Sequence, residues 1–237
     1  METVQPSSYT RSSVISCVIL LILLWGFHRT YTVFFPSFEG FLFVQHFHGF
    51  MMLLWMGMLI VQPLFIASRK HHLHQLVGRA SFVIAPLIML SIYLVSEMVF
   101  HRNVQEHTLP DAYAEIALSV PSIPIFAILY GLAISNRHRT FYHMRYMIGT
   151  GIMMIGPGLG RIMGIWFGVP GPLIVTSTLI IVALVAFGFL IVDIARKKDF
   201  RPYAIVTLLM VVQSVLWEMR YSGLLQSVEK GFASIAY

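Results

Sequence analysis

Residues 172–195 read PLIVTSTLIIVALVAFGFLIVDIA, and this stretch decides the class of fold. It contains a single charged residue, Asp193, close to its end. As an α-helix the stretch would be about 36 Å long, which is enough to cross the roughly 30 Å hydrocarbon core of a bilayer. Lipid offers the backbone no hydrogen-bond partners, so such a stretch crosses as a helix. The stretch therefore predicts a transmembrane helix.

The composition of the whole 237-residue chain agrees with this stretch. Hydrophobic residues make up 57%, charged residues 11%, and the mean hydropathy is +0.78. Soluble domains carry about a quarter charged residues, so this chain has too little charge to cover a water-exposed surface. Apolar segments lie at residues 13–35, 43–67, 79–100, 113–134, 142–167, 172–195 and 202–222. We therefore expect one integral membrane domain over residues 1–237, an all-α polytopic bundle of seven transmembrane helices in a lipid bilayer.

Basic residues collect in alternate loops, which predicts the orientation. Eleven of the sixteen lysines and arginines fall on one predicted side: Arg11, Arg69, Lys70, Arg79, Arg137, Arg139, Arg145, Arg196, Lys197, Lys198 and Arg201. The positive-inside rule then places the N-terminus inside and the C-terminus outside, in a bacterial cytoplasmic membrane. The same rule explains the net charge of +6 without nucleic acid as a partner. The first segment is too long for a signal peptide, so we expect it to be retained as a helix.

Ten histidines are the main chemical signal in a chain with so few polar residues. His74 and His143 begin the third and fifth segments from the same side, and neutral imidazole is the usual axial ligand of b-type haem. Each is followed by an arginine, Arg79 or Arg145, that could meet an anionic group such as a haem propionate. These residues predict a cofactor site for haem b or another metal centre. Interfacial placement of half-apolar rings explains the same positions without a ligand.

A second set of candidate metal ligands lies towards the opposite side, at His48 and His101. Glu97 is four residues before His101, so the two share a helix face, where the carboxylate could orient the imidazole. A hydrogen-bonded pair at a helix end is the structural alternative.

Four polar residues inside the predicted spans need partners in the bundle, because an unpaired intramembrane charge costs several kcal/mol. They are Gln62, Arg161, Asp193 and Glu218. Arg161 and Glu218 lie at comparable predicted depth, so we expect a salt bridge between them. Asp193 precedes Arg196 and Lys197, which predicts an interfacial carboxylate neutralised locally.

Residues 149–164, GTGIMMIGPGLGRIMG, are rich in glycine but follow no strand, which excludes a dinucleotide-binding fingerprint. The small residues at Gly149, Gly156, Gly160 and Gly164 allow close helix packing. Alternatively, these small residues leave room for a flat cofactor.

Two resemblances follow from these residues. The order His48-Gly49, Gln62, Arg69, His74, Gly78, and later His143, Arg145, Met147 and Arg161, is similar to a family of uncharacterised bacterial multi-pass membrane proteins. That likeness covers residues 46–165 and implies no particular activity. The chain more weakly resembles the ascorbate-reducible b-type cytochromes, in which histidines near both membrane faces bind two haems. The second likeness implies electron transfer, with a quinone or small reductant as partner.

Three functions fit the sequence. The first is a membrane redox protein that binds haem or a metal through histidines. The second is a transporter or channel-like protein, with Arg161 and Glu218 lining a polar cavity. The third is a non-catalytic accessory subunit. Walker, GxSxG, HExxH and CxxC motifs do not occur in the chain, so the enzyme classes that they mark are not indicated.

Overall fold

The computed structural model describes residues 6–237, and that part of the chain is helical with no β-strand. A short 3₁₀ helix, Thr32–Phe34, lies in the first loop. The α-helices are α1 (Pro6–His28), α2 (Phe43–Ala67), α3 (His71–Glu106), α4 (Leu109–Ser119), α5 (Ser122–Ser135), α6 (Thr140–Ile152), α7 (Ile155–Trp166), α8 (Gly171–Ala195), α9 (Arg201–Glu218) and α10 (Gly223–Ala236).

These helices confirm the all-α polytopic bundle. Six spans in the described residues are long and apolar enough to cross a membrane: α1, α2, α3, α4 with α5, α6 with α7, and α8. Helices α9 and α10 qualify together as a seventh, although they are bent by 96° at the break between them. Large apolar side chains such as Leu21, Val83, Leu184 and Leu208 are exposed along the bundle, as expected for a surface in contact with lipid. The protein is an integral, multi-pass membrane protein.

The spans differ from the predicted segments mainly at their ends. Helix α2 has the predicted bounds, whereas α3 has 36 residues and is about 54 Å long, well beyond the predicted 79–100. The last segment, predicted to run to residue 222, ends at Glu218. Ser222 then caps the additional helix α10, its hydroxyl accepting from the Leu225 backbone N–H at 3.3 Å.

Two spans are interrupted inside the bundle. The fourth breaks at Val120 and Pro121, because proline has no backbone N–H to continue the helical hydrogen bonds. Gln213 of α9 donates to the Leu118 carbonyl at 3.2 Å and to the Ser122 hydroxyl at 2.9 Å. The fifth span breaks at residues 153–154, between α6 and α7. At the first of these breaks Gln213 thus replaces part of the hydrogen bonding that the helix loses.

The basic loops predicted to share one side do meet at one end of the bundle. The His74 ring at the start of α3 lies beside that of His143 at the start of α6. Tyr142 of α6 in turn hydrogen-bonds to Asp199 in the loop between α8 and α9. We call the end where α3, α6 and α9 begin the basic end, and the end where α2 begins and α3 ends the far end.

The glycine-rich segment serves close helix packing. A Cβ at Gly26 of α1 would lie 2.2 Å from the Gly158 carbonyl oxygen of α7, so the two backbones touch there. A Cβ at Gly149 or Gly164 would lie 2.8 Å from a side-chain carbon, of Val206 and Ile174 respectively. At Gly156 and Gly160 the neighbours are the side chains of Thr178 and Ile174. Neighbouring helices fill the room that a flat ring would have needed beside these glycines.

Candidate metal centre at the basic end

The structure brings His74 and His143 together. Each sits in the first turn of its helix, partly buried, and their ring centroids are 6.5 Å apart with the ring planes at 88°. Two imidazoles that bind one metal have nitrogens about 4 Å apart, which places their ring centres roughly 6 Å apart. The observed separation is close to the value for two imidazoles on opposite sides of one metal.

Each of the two rings is held by a second group through Nδ1. His143 Nδ1 donates to the backbone carbonyl of Ala133, on α5, at 2.9 Å. In the amide orientation that satisfies its surroundings, Gln62 donates to His74 Nδ1 at 2.5 Å and accepts from the Gly78 N–H at 2.8 Å. In the described residues neither Nε2 has a hydrogen-bond partner. The contact to the Ala133 carbonyl is the kind that orients a ligating imidazole and leaves Nε2 of His143 free, whereas the hydrogen bond from Gln62 leaves the His74 proton on Nε2.

Gln62 joins this site to the core through one stripe of α2. His48, Met52, Trp55, Leu59 and Gln62 recur at intervals of four and three residues, so they share one face of α2. Gln62 was predicted to need a partner in the bundle. Trp55 is fully buried, and its indole N–H donates to the Thr150 hydroxyl at 3.0 Å. His74 is the partner of Gln62. This stripe of α2 therefore ends at the histidine pair.

Arg145 and Asp193 form a buried ion pair that the sequence analysis missed. Arg145 Nε donates to Asp193 Oδ2 at 2.5 Å and Arg145 Nη2 donates to Oδ1 at 2.7 Å, which makes the ion pair bidentate. Both residues are buried, and the guanidinium also stacks over the Phe141 ring at 3.3 Å. The prediction that Arg196 and Lys197 neutralise Asp193 was therefore wrong. Arg145 is in turn bound to this carboxylate. Arg79, the other proposed propionate partner, is exposed.

The predicted salt bridge between Arg161 and Glu218 was wrong. Arg161 donates to the Pro157 carbonyl at 3.0 Å and stacks over Phe27 at 4.0 Å. Glu218 is exposed, and it accepts from the Thr176 hydroxyl at 2.6 Å. Helix α8 packs against both α7 and α9 and lies between the two residues. Glu218 lines an apolar groove between α8 and α9 that does not include Arg161, so the two residues do not line a common cavity.

The far-end histidines are not brought to one centre. His48 Nδ1 bonds to the Ser91 hydroxyl at 3.0 Å, whereas His101 is exposed beside Phe100. Ser91 and His101 are ten residues apart on α3, which separates their levels by about 15 Å. Glu97 makes no hydrogen bond to His101 in the part of the chain that the structure describes, so the predicted orienting contact is not seen there. Within those residues no group of three or more His, Cys, Asp or Glu side chains could hold a metal ion.

Two further groups at the basic end had weak or no sequence signals. The Ala133 carbonyl that holds His143 belongs to the backbone, so its role leaves no trace in residue type. Asp199 lies in the loop before α9, and the hydrogen bond from Tyr142 lowers the pKa of its carboxyl below the usual value. This hydrogen bond ties the loop to α6 at Tyr142, the residue before His143.

No protein-family model, curated protein or solved structure matches this chain.

Proposed function

We propose that this protein is a membrane redox protein in which His74 and His143 bind a metal centre, a b-type haem or another metal. The observation that carries the proposal is the pair of imidazole rings, 6.5 Å apart, at the starts of two helices. Two nitrogen ligands are the axial set of a b-type haem, and they are also the beginning of an open metal site.

The protein orients the imidazole rings of the two histidines. Because the Ala133 carbonyl can only accept, His143 Nδ1 carries the proton and its Nε2 lone pair is free for a metal. The Gln62 amide donates to His74 Nδ1 and so leaves the ring proton on Nε2. His74 ligates a metal only when the amide turns its oxygen to Nδ1 and gives up the hydrogen bond from Gly78. Ligation by both rings thus depends on Gln62 as well as on the histidines.

The surroundings support some parts of a haem site and oppose others. The separation of the rings suits axial ligation, and the exposed Arg79 is available to an anionic group at this end. Arg145 is not available, since Asp193 neutralises it. The glycines at 149, 156 and 160 face neighbouring side chains, so a porphyrin would take its space between α3 and α6 themselves.

A metal bound at this site would exchange an electron with a quinone or with a small reductant. Its place in a membrane suits a lipid-soluble partner. The eleven basic residues around this end support a cytoplasmic location for it, with the N-terminus inside and the C-terminus outside a bacterial cytoplasmic membrane. Reporter fusions in residues 68–79 and 135–139 should then report a cytoplasmic location, and an external reading at both would overturn the orientation.

An absorption spectrum of the purified protein, with metal analysis of the same sample, tests the proposed function. A Soret band with iron identifies haem, and bound metal without a Soret band identifies the alternative centre. If the protein, purified without chelator, shows neither, the redox proposal is wrong.

A further inference from the structure

The surface of the basic end carries a large excess of positive charge. Among the described residues two carboxylates, Asp193 and Asp199, lie at this end. Asp193 is buried and paired with Arg145, so it offsets none of the exposed charge. The basic residues exposed at this end are Arg11, Arg69, Lys70, Arg79, Arg137, Arg139, Arg196, Lys197 and Arg201, and the histidines exposed beside them are His71, His72 and His138.

Two of these arginines come together where the loop between α5 and α6 meets the loop between α8 and α9. The Tyr142 hydroxyl donates to the Asp199 carboxylate and joins the two loops. The Arg139 guanidinium lies 4.2 Å from the centroid of the Tyr142 ring, and Arg201 Nε lies 4.0 Å from Asp199 Oδ1. Arg139 and Arg201, which we call the arginine pair, therefore both lie beside one tyrosine–aspartate contact.

The arginine pair keeps N–H groups for another partner. The Arg201 side chain is 78% exposed, and its contact with Asp199 is at the outer limit of an ion pair. Asp199 already accepts from the Tyr142 hydroxyl and from the Arg201 backbone N–H at 3.0 Å. In the part of the chain that the structure describes, the Arg139 guanidinium stacks on the Tyr142 ring and donates no hydrogen bond.

The charge of the two loops favours an anionic partner. Residues 136–139 and 196–201 contain six lysines and arginines and one acidic residue, Asp199. Asp199 offsets one of the two charges of the arginine pair, and the remaining basic residues of the loops add to the excess: Arg137, Arg196, Lys197 and Lys198. A surface of this sign attracts anions and concentrates them near it.

Exposed apolar side chains lie next to this charge. Ile191 and Ile194, in the last turns of the span α8, are 45% and 48% exposed, and Phe200, beside Arg201, is 49% exposed. A free phosphate ion would leave these side chains uncovered, whereas the acyl chains of a lipid would cover them. The adjoining surfaces thus match a molecule with an anionic head and apolar chains.

We propose that the arginine pair binds the phosphate group of an anionic phospholipid in the leaflet at the basic end. The guanidinium N–H groups donate to the phosphate oxygens, which suit the planar fork of arginine. The acyl chains lie against the exposed apolar side chains at the end of α8. This surface uses neither His74 nor His143, so the proposal is independent of the redox function.

Native mass spectrometry of the purified, full-length protein in a neutral detergent tests the proposal. The protein is titrated with phosphatidylglycerol and with phosphatidylcholine of the same acyl chains. Phosphatidylglycerol should bind more tightly by on the order of tenfold, because only this lipid carries a net negative charge. Equal binding of the two lipids would overturn the role of the arginine pair.

Glycerol phosphate separates a lipid from a free phosphate ester. It has the anionic group without the acyl chains, so it should bind more weakly than phosphatidylglycerol by on the order of tenfold or more. Glycerol phosphate that bound as tightly as phosphatidylglycerol would assign the site to a free phosphate ester and overturn the lipid assignment.

Variants locate the site. The double variant Arg139→Gln/Arg201→Gln should weaken binding of phosphatidylglycerol by on the order of tenfold and leave that of phosphatidylcholine unchanged. Arg102→Gln, at an exposed arginine of the far end, is the matched control and should change neither affinity. Should the double variant fail to fold, Arg139→Gln alone should weaken binding of phosphatidylglycerol by about threefold. Unchanged binding in the variant that folds, or an equal loss in Arg102→Gln, would contradict the proposal, whatever the histidine pair binds.

Discussion

The two ends of the bundle treat their polar side chains differently. At the basic end Arg145 is bound at two points by Asp193, and the imidazoles of His74 and His143 are held through Nδ1. At the far end Arg161 makes no salt bridge in the described residues, and it contacts a carbonyl and an aromatic ring instead. Glu115 lines a cavity there.

The polar side chains at the two ends are therefore suited to different roles. A saturated network is rigid, because each member fixes its partners in one geometry, and rigidity is what a metal site needs from its ligands. An unsaturated group retains the ability to bind something else. We therefore expect the basic end to be sensitive to substitutions that break pairs, and the far end to be tolerant of them.

The largest effect should come from removing the partner of Arg145. Asp193→Ala leaves a buried guanidinium without a counter-charge and should lower the free energy of unfolding by about 3–5 kcal/mol. The measurement is reversible unfolding of the purified protein in mixed micelles.

Glu218→Ala is the matched control, because Glu218 is exposed and its contact is a hydrogen bond from the Thr176 hydroxyl rather than a salt bridge. We expect it to change the same free energy by no more than about 0.5 kcal/mol. Similar losses in the two variants would remove the distinction between the ends.

An intermediate effect should come from Gln62, which holds His74. Gln62→Ala should weaken binding of the metal at the histidine pair by about tenfold to a hundredfold, measured by competition with a chelator. Gln213→Ala removes a glutamine that is bonded near the break between α4 and α5, away from the pair. If both variants lost affinity equally, the role of Gln62 would be structural only.

The smallest effect should come from Arg161. Arg161→Met retains most of the side-chain volume and breaks no ion pair, so we expect a change of at most about 1 kcal/mol in the free energy of unfolding. Arg145→Met, which strands Asp193, should cost several times more. A loss at Arg161 as large as that at Arg145 would indicate a charged partner for Arg161.

The sequence predicted depth well and lateral neighbours poorly. Hydropathy gave the bounds of α2, because they depend on local residues. The starts of α3 and α6 placed His74 and His143 at one level, and here the two also proved to be neighbours. Arg161 and Glu218 were matched by depth alone, and α8 separates their helices.

Asp193 and Arg145 show the same limitation, because here two residues that do contact each other were not predicted to do so. Both lie close to the basic end, but nothing in their spacing along the chain indicates that α6 and α8 place them side by side. The far-end histidines failed for a different reason, since α3 continues to Glu106 and carries His101 beyond the level of His48. Lateral packing and helix length are set by tertiary contacts, which a hydropathy pattern does not contain.

The most direct test of the account is the amount of metal bound per chain in four single variants, purified in parallel with the parent protein. We predict that His74→Ala and His143→Ala each lose the bound metal or haem, whereas His48→Ala and His101→Ala retain it at the parent stoichiometry. Retention of the metal in His74→Ala and His143→Ala, or its loss in His48→Ala and His101→Ala alone, would contradict the assignment of the centre to the basic end.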